Sequence, residues 1–155
     1  MKKIKKLIAI FIPWIDQSSK IYKLYKKSHD NYKNGHVFIS SWFSYKIYKK
    51  YHCQITPGAE IDSSVSFPHP FGITIGMDSV VGKNCTIYHN VTIGQKDWKY
   101  PVIGDNVTIY EGAVIVGDVK IGNNSIIGPN SIVITDVPDN SIIVSSPSRK
   151  INKQS

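Results

Sequence analysis

IGDNVTIYEGAVIVGDVKIGNNSIIGPNSI, residues 103–132, divides without remainder into five units of six, each opening on isoleucine. The same frame extends outward. Upstream it cuts the chain into ITPGAE, IDSSVS and FPHPFG from Ile55, then IGMDSV, VGKNCT, IYHNVT and IGQKDW from Ile75; downstream VITDVP closes the run at Pro138. Of these thirteen units twelve start with Ile or Val, Phe67 being the exception, and the fifth position is Ala, Val, Ser or Cys in eleven. A β-sandwich needs only alternation, a period of two. One aliphatic and one small residue turned inward in every six is the mark of a parallel β-helix, in which three hexads complete a triangular coil. Thirteen hexads make a little over four coils, with glycine in second place (Gly76, Gly82, Gly104) expected to ease the corners.

The frame breaks twice. Ile73 and Thr74 are extra after FPHPFG, and Lys99–Val102 are extra after IGQKDW. A solenoid buries its aliphatics, so chemistry is expected where insertions leave the regular wall. The first break carries His69 between Pro68 and Pro70; the second carries Lys96, Trp98, Lys99 and Tyr100. A neutral imidazole can take a proton from a hydroxyl near neutral pH. Two flanking prolines fix φ and stiffen the loop, which lowers the entropy of orienting that base. His89 holds the third place of its hexad, as His69 does, and is a second candidate for the same cleft, or a structural histidine.

Residues 1–52 read differently. They hold twelve lysines against Asp16 and Asp30, a balance of +10, whereas residues 53–155 carry seven cations against nine acids, a balance of −2. The opening MKKIKKLIAIFIPWI imitates a signal peptide, but no small-residue cleavage site follows, and its apolar run is far short of the ~20 residues that span a bilayer. Two short helices are expected between residues 18 and 51, turning at Asn34-Gly35, with tyrosine, tryptophan and lysine on their surfaces. The expected organisation is a basic helical appendage (1–52), a β-helix (53–144) and a basic tail (145–155). Such an appendage suits an anionic surface, the inner face of the cell membrane above all. No aromatic-basic motif of a nucleic-acid module appears. Two cysteines, Cys53 and Cys85, without metal or disulfide spacing, fit a reduced, cytoplasmic protein.

The hexads, with FPHPFGITIG, IYHNVTIG, KYPVIGDNV and DVPDNSIIVSSPSRKI in that order, resemble the hexapeptide-repeat acyltransferases, within them the serine acetyltransferase group, and most closely its capsule and exopolysaccharide O-acetyltransferase branch. That resemblance implies an all-β main domain coiled left-handed, against the usual right-handed crossover. It also implies a homotrimer and acetyl-coenzyme A as the acetyl donor. It makes His69 the general base. It places the donor along Gly94, Gly112 and Ala113, with Arg149 and Lys150 on its phosphates.

Departures from serine acetyltransferases bear on the acceptor. Their aspartate before the catalytic histidine is Pro68 here, their histidine-orienting aspartate is Gln54, and a second histidine is Tyr100. Serine's ammonium then lacks an anionic partner. The expectation is therefore a neutral sugar hydroxyl of a capsular or exopolysaccharide precursor, bound by Trp98, Tyr100 and Gln54, with serine as the alternative acceptor. A zinc β-helix enzyme would need a third histidine in the repeat, so no metal is expected. A non-catalytic scaffold is the remaining class.

Overall fold

The computed structural model describes the backbone of residues 2–145 and the side chains from Gln17 onward. Two helices, α1 (Lys2–Lys33) and α2 (Val37–Tyr51), precede thirteen very short strands. The strands stack into three parallel sheets. The first joins β1 (Gln54–Ile55), β3 (Thr74–Ile75), β6 (Thr92–Gly94), β9 (Val114–Val116) and β12 (Ile132–Val133). The second joins β2 (Glu60–Ile61), β4 (Val80–Val81), β7 (Val102–Ile103) and β10 (Lys120–Ile121). The third joins β5 (Thr86–Ile87), β8 (Thr108–Ile109), β11 (Ile126–Ile127) and β13 (Ile142–Ile143). This is the parallel β-helix of about four coils that the hexads imply, left-handed as the family resemblance implies.

Register measures each coil. Thr74 pairs with Thr92, eighteen residues on, which is three hexads. Gln54 pairs with Thr74, twenty on, so the first break adds two residues; Thr92 pairs with Val114, twenty-two on, so the second adds four. A third irregularity escapes the hexad count: Ile126 pairs with Ile142 only sixteen residues on, so the coil through VITDVP is two residues short.

All thirteen first-position side chains are buried, from Ile55 to Val133, and none is more than 8% exposed. The small fifth positions, such as Ser79, Cys85, Ala113 and Ser125, are buried with them. The corners are made differently from the expectation. Asparagines, not second-position glycines, take the left-handed conformation: fourth-position Asn84, Asn106 and Asn124, and Asn140 just after the last hexad, all have φ between 55° and 58°. Their amides bond coil to coil in a ladder at 3.1–3.3 Å. Asparagine tolerates this region better than other side chains because its short amide bonds locally. The second-position glycines answer to crowding instead. A Cβ on Gly82 would sit 2.6 Å from the Gly104 carbonyl oxygen of the next coil.

The helices close the open end of the solenoid. A bare first coil would present unpaired backbone to water, the ordinary weakness of a sheet edge. Tyr25 of α1 is 2% exposed; its hydroxyl donates to the Ala59 carbonyl at 2.5 Å and accepts from the Ile61 N–H at 3.2 Å. Burial pushes the Tyr25 phenol well above its ordinary range, so it stays a donor. His29 meets the Pro57 carbonyl at 2.8 Å, and Lys33 pairs with Glu60 at 2.6 Å. Ile21, Tyr25, Ile47 and Tyr51 join the β-helix core in one cluster. Pro13 does not end α1, because the helix runs unbroken from Lys2.

Candidate active site

The first break lies at the corner between the third and first sheets. Ser66 still bridges to Thr86 and Phe67 is buried, after which the chain leaves the wall. Across Pro70 the Phe71 N–H donates to the His69 carbonyl at 2.9 Å, a three-residue turn for which proline's fixed φ is suited. Three further contacts hold the loop. The Phe67 N–H donates to Ser18 Oγ of α1 at 2.7 Å. The Asn90 N–H of the next coil donates to the Phe71 carbonyl at 2.8 Å. The ring of His52, at the C-cap of α2, packs edge-on against Phe71 at 5.5 Å between centroids. His69 is thus exposed on a loop tied to both helices and to the neighbouring coil.

His89 occupies the same corner one coil on. Its ring lies 6.4 Å from that of His69, nearly perpendicular to it, within a single chain. Tyr88 is also 6.4 Å from His69 and stacks on Tyr110 of the following coil at 5.2 Å. The His89 carbonyl accepts from the Gly112 N–H at 3.1 Å. Its Nδ1 is buried without a partner among the described residues.

The other expected site residues are dispersed. Gln54 lines a separate cavity with Ser44, Tyr48 and Cys53, and the cavity at His69 is lined by Gln17, Lys20, Lys50, Tyr51, Pro70 and Phe71. The structure therefore does not bring Gln54 to the imidazole. The second break falls at the opposite edge of the first sheet, where β6 gives way to β7. It is a small hairpin: Lys96 and Lys99 exchange two backbone hydrogen bonds of 3.1 Å around Asp97 and Trp98, whose φ angles are 54° and 62°. Both positive φ values make a primed two-residue turn, occupied here without glycine. Trp98 is 84% exposed, and Lys99 ties the hairpin to Asp118 at 2.6 Å. Tyr100 folds back over Gly76, where a Cβ would come within 2.7 Å of its ring.

The residues expected along the donor divide likewise. Gly94 is partly open on β6, and Gly112 has φ 69° at the His89 corner. Ala113 is corrected: its methyl is fully buried and faces the core, so no ligand can meet it there. Its N–H and carbonyl are also engaged, with Tyr110 and Thr92. Arg149 and Lys150 lie outside the described residues.

Sequence reasoning passed over Ser18, Lys20, Lys50, Tyr51 and His52 at this site, because a helix pattern does not say which coil the helix will meet. Among the described residues no helix is long and apolar enough to cross a membrane. Nor do three or more His, Cys, Asp or Glu converge among them as metal ligands would.

The bacterial transferase hexapeptide (six repeats) family model matches residues 100–135. A serine acetyltransferase of Staphylococcus aureus is 41% identical over 98 residues, 61% of this chain and 46% of its own. One of Mycobacterium tuberculosis is 39% identical over 103 residues, 64% of this chain and 45% of its own. Among solved structures, Neisseria gonorrhoeae serine acetyltransferase in complex with serine superposes with a TM-score of 0.78 at 29% identity, over 84% of this chain and 55% of that one. A serine acetyltransferase in complex with CoA gives 0.78 at 28% identity, over 83% and 55%. The chain spans about half the length of the curated relatives it matches.

These matches overturn the expected capsular or exopolysaccharide acceptor and the branch resemblance behind it. The relatives found are serine acetyltransferases, one of them solved with serine. The error was to read three replacements, Pro68, Gln54 and Tyr100, as the whole acceptor site. Gln54 lies in another cavity, and helix residues invisible to that comparison line the one at His69.

Proposed function

From a hexapeptide-repeat β-helix like that of the serine acetyltransferases, we propose that this chain is an acetyl-CoA-dependent O-acetyltransferase whose acceptor is serine. The observation that carries the reading is the pairing of His69 and His89 at one corner of a coil that matches a serine-bound relative over 84% of this chain. His69 takes the proton of the acceptor hydroxyl as its oxygen bonds to the thioester carbonyl carbon. The carbon–sulfur bond then breaks, and His69 returns the proton to the departing thiolate, giving acetyl ester and free thiol. Because the loop is tied at Phe67, His69 and Phe71, the imidazole is positioned before substrate arrives.

The assembly that suits this chemistry is a homotrimer. Outward positions of the first and third sheets, which flank the His69 corner, carry Gln, Thr, Val and Ile, with Ile132 73% and Ile142 66% exposed. The second sheet carries Glu60 and Lys120 there. The charge-free faces are the ones a second copy can cover without burying an unpaired charge. Such packing lets the Trp98 hairpin of one subunit approach the His69 corner of the next, which a single chain does not do. It also offers a partner to His89 Nδ1. Gly94, Gly112 and the 149–150 cations remain our placement for the donor. Two buried free cysteines fit a cytoplasmic setting.

The test is thiol release from acetyl-CoA with serine as acceptor. Turnover should appear in the native chain and fall about 10²–10⁴-fold in His69→Ala, the usual worth of a positioned base. A native chain inert toward serine, or a His69→Ala variant of native rate, sinks the reading.

A further inference from the structure

A helix on a protein surface ordinarily turns its apolar stripe inward and its polar side to water. In α2 that order is reversed. Its buried residues are Ser40, Ile47 and Tyr51. Ser40 meets Ser28 of α1, whose hydroxyl donates to the Ser40 carbonyl at 2.8 Å and lies 2.8 Å from the Ser44 hydroxyl. Small side chains thus face α1, and the large apolar ones are left outside. Phe38 is 93% exposed, and Ile39, Trp42, Tyr45 and Tyr48 are half-exposed. Phe38, Trp42, Tyr45 and Lys49 stand at i, i+4, i+7 and i+11, which makes one stripe along the helix. Scattered exposed apolar residues are ordinary, whereas a continuous stripe marks a contact surface.

Charge indicates what the stripe contacts. α2 carries Lys46, Lys49 and Lys50 and no acid. None of the three meets a carboxylate among the described residues. Lys46 Nζ lies 3.5 Å over the Trp42 ring instead. Asp30 of α1 is already held by Lys26 at 2.6 Å. A second copy packed on this face would bury Lys46 and Lys49 with no acid of α2 to pair them. A lipid surface makes no such demand. Lysine lays its stem along apolar surface and keeps its head at an anionic headgroup, while tryptophan and tyrosine seat a ring below a polar tip at the same depth.

We infer that the outward face of α2 docks on an anionic lipid surface, with Phe38 and Trp42 entering the headgroup region and Lys46 and Lys49 meeting lipid phosphates. The contact lies in the plane of the surface, since no helix among the described residues is long and apolar enough to cross a membrane. This assigns the contact expected of residues 1–52 to one face of one helix. It does not depend on which acceptor His69 serves.

The experiment floats the full chain with vesicles of phosphatidylcholine alone and of phosphatidylcholine mixed with phosphatidylglycerol. The native chain should float with the anionic vesicles and not with the neutral ones, and added salt should weaken the association. Lys46→Gln/Lys49→Gln should weaken it about thirtyfold, at about fivefold for each lysine near a charged surface. Phe38→Ala/Trp42→Ala, which leaves the charges in place, should weaken it about tenfold or more. Phe38→Asp, at the most exposed ring of the stripe, should abolish flotation while the chain melts as the native one does. A native chain that does not float, equal flotation with neutral vesicles, or unchanged binding in any of these variants overturns the inference. Sedimentation velocity without lipid tests the other occupant. An oligomer size unchanged by Phe38→Asp supports the lipid surface; a smaller one shows that a second copy covers the face and overturns it.

Discussion

Ser18→Ala asks whether α1 holds the candidate base in place. The Ser18 hydroxyl is the acceptor for the Phe67 N–H at 2.7 Å, and Phe67 is 1% exposed, so water is poorly placed to substitute. Leaving a buried donor unpaired costs about 1–3 kcal/mol. That cost has two outlets. If the turn across Pro70, the Asn90 N–H and the His52 ring keep the loop where it is, the whole cost falls on stability. For a domain near this size 1 kcal/mol is worth about 2–4 °C, so Tm should drop by roughly 2–12 °C. If instead the loop shifts to find another partner, Tm changes little and the imidazole is displaced. Each ~1.4 kcal/mol then lost at the transition state lowers kcat about tenfold. The two losses should together account for about 1–3 kcal/mol, whichever way they divide. Thermal melting and turnover with saturating substrates read both, and Ser18→Thr, which keeps the hydroxyl, should recover most of each. A Ser18→Ala chain with Tm within about 1 °C and kcat within about twofold of native would show that the hydrogen bond restrains nothing, on the same conversions.

The remaining predictions concern the wall. Ile93 is fully buried on the central strand of the first sheet, in register with Ile75 and Ile115, so Ile93→Ala should cost about 2–5 kcal/mol and Ile93→Val about 0.5–1.5 by denaturant unfolding. Gly104→Ala would place a Cβ 2.7 Å from Asn123 Oδ1 and 2.9 Å from the Ile121 carbonyl oxygen, forcing two coils apart. A loss of about 1–3 kcal/mol is expected, and a neutral result would refute the crowding account of second-position glycines. Burial pushes the Cys53 thiol up to about 11 and raises Cys85 as well, so iodoacetamide at pH 8 should modify neither until the chain unfolds. The same shift gives a sign for alkaline stability. The folded state favours the neutral thiol, so the contribution of Cys53 is intact below its ordinary value of 9.0 and is lost as pH rises toward about 11. Cys53→Ala should flatten that decline.

The repeat was legible because each hexad records a local rule: one aliphatic inward, one small residue inward, then a corner. Such a rule needs no knowledge of distant contacts, so all thirteen first positions could be assigned from spacing alone. The corner residue was less legible, since asparagine at φ 55–58° is chosen by conformation while the glycines beside it are chosen by the coil above. The shortened last coil was hidden because VITDVP still scans as a hexad, and only the pairing of Ile126 with Ile142 reveals the missing two residues. The site was half legible. Its histidine stood out as an irregularity in the wall, but its cavity did not. The helix contacts span long separations: Ser18 to Phe67 and Tyr25 to Ala59 are 49 and 34 residues apart.

The same division bears on the acceptor. A β-helix wall repeats, so comparison of a single motif with a relative's motif tests only the residues that the wall itself supplies. Here the wall supplies His69, with the His89 ring 6.4 Å from it, while the helices supply Lys20, Lys50 and Tyr51 to the cavity at His69. Losing an aspartate at position 68 removes one anionic partner for an ammonium group from the wall. It leaves untouched the part of the cavity that the helices build. The corner is therefore built by two structures: a coil that carries the candidate base, and a helical cap that ties its loop through Ser18 and lines its cavity. Substitution of Lys50, which lines the cavity, should alter acceptor use, whereas Ser18→Ala should act on the position of His69.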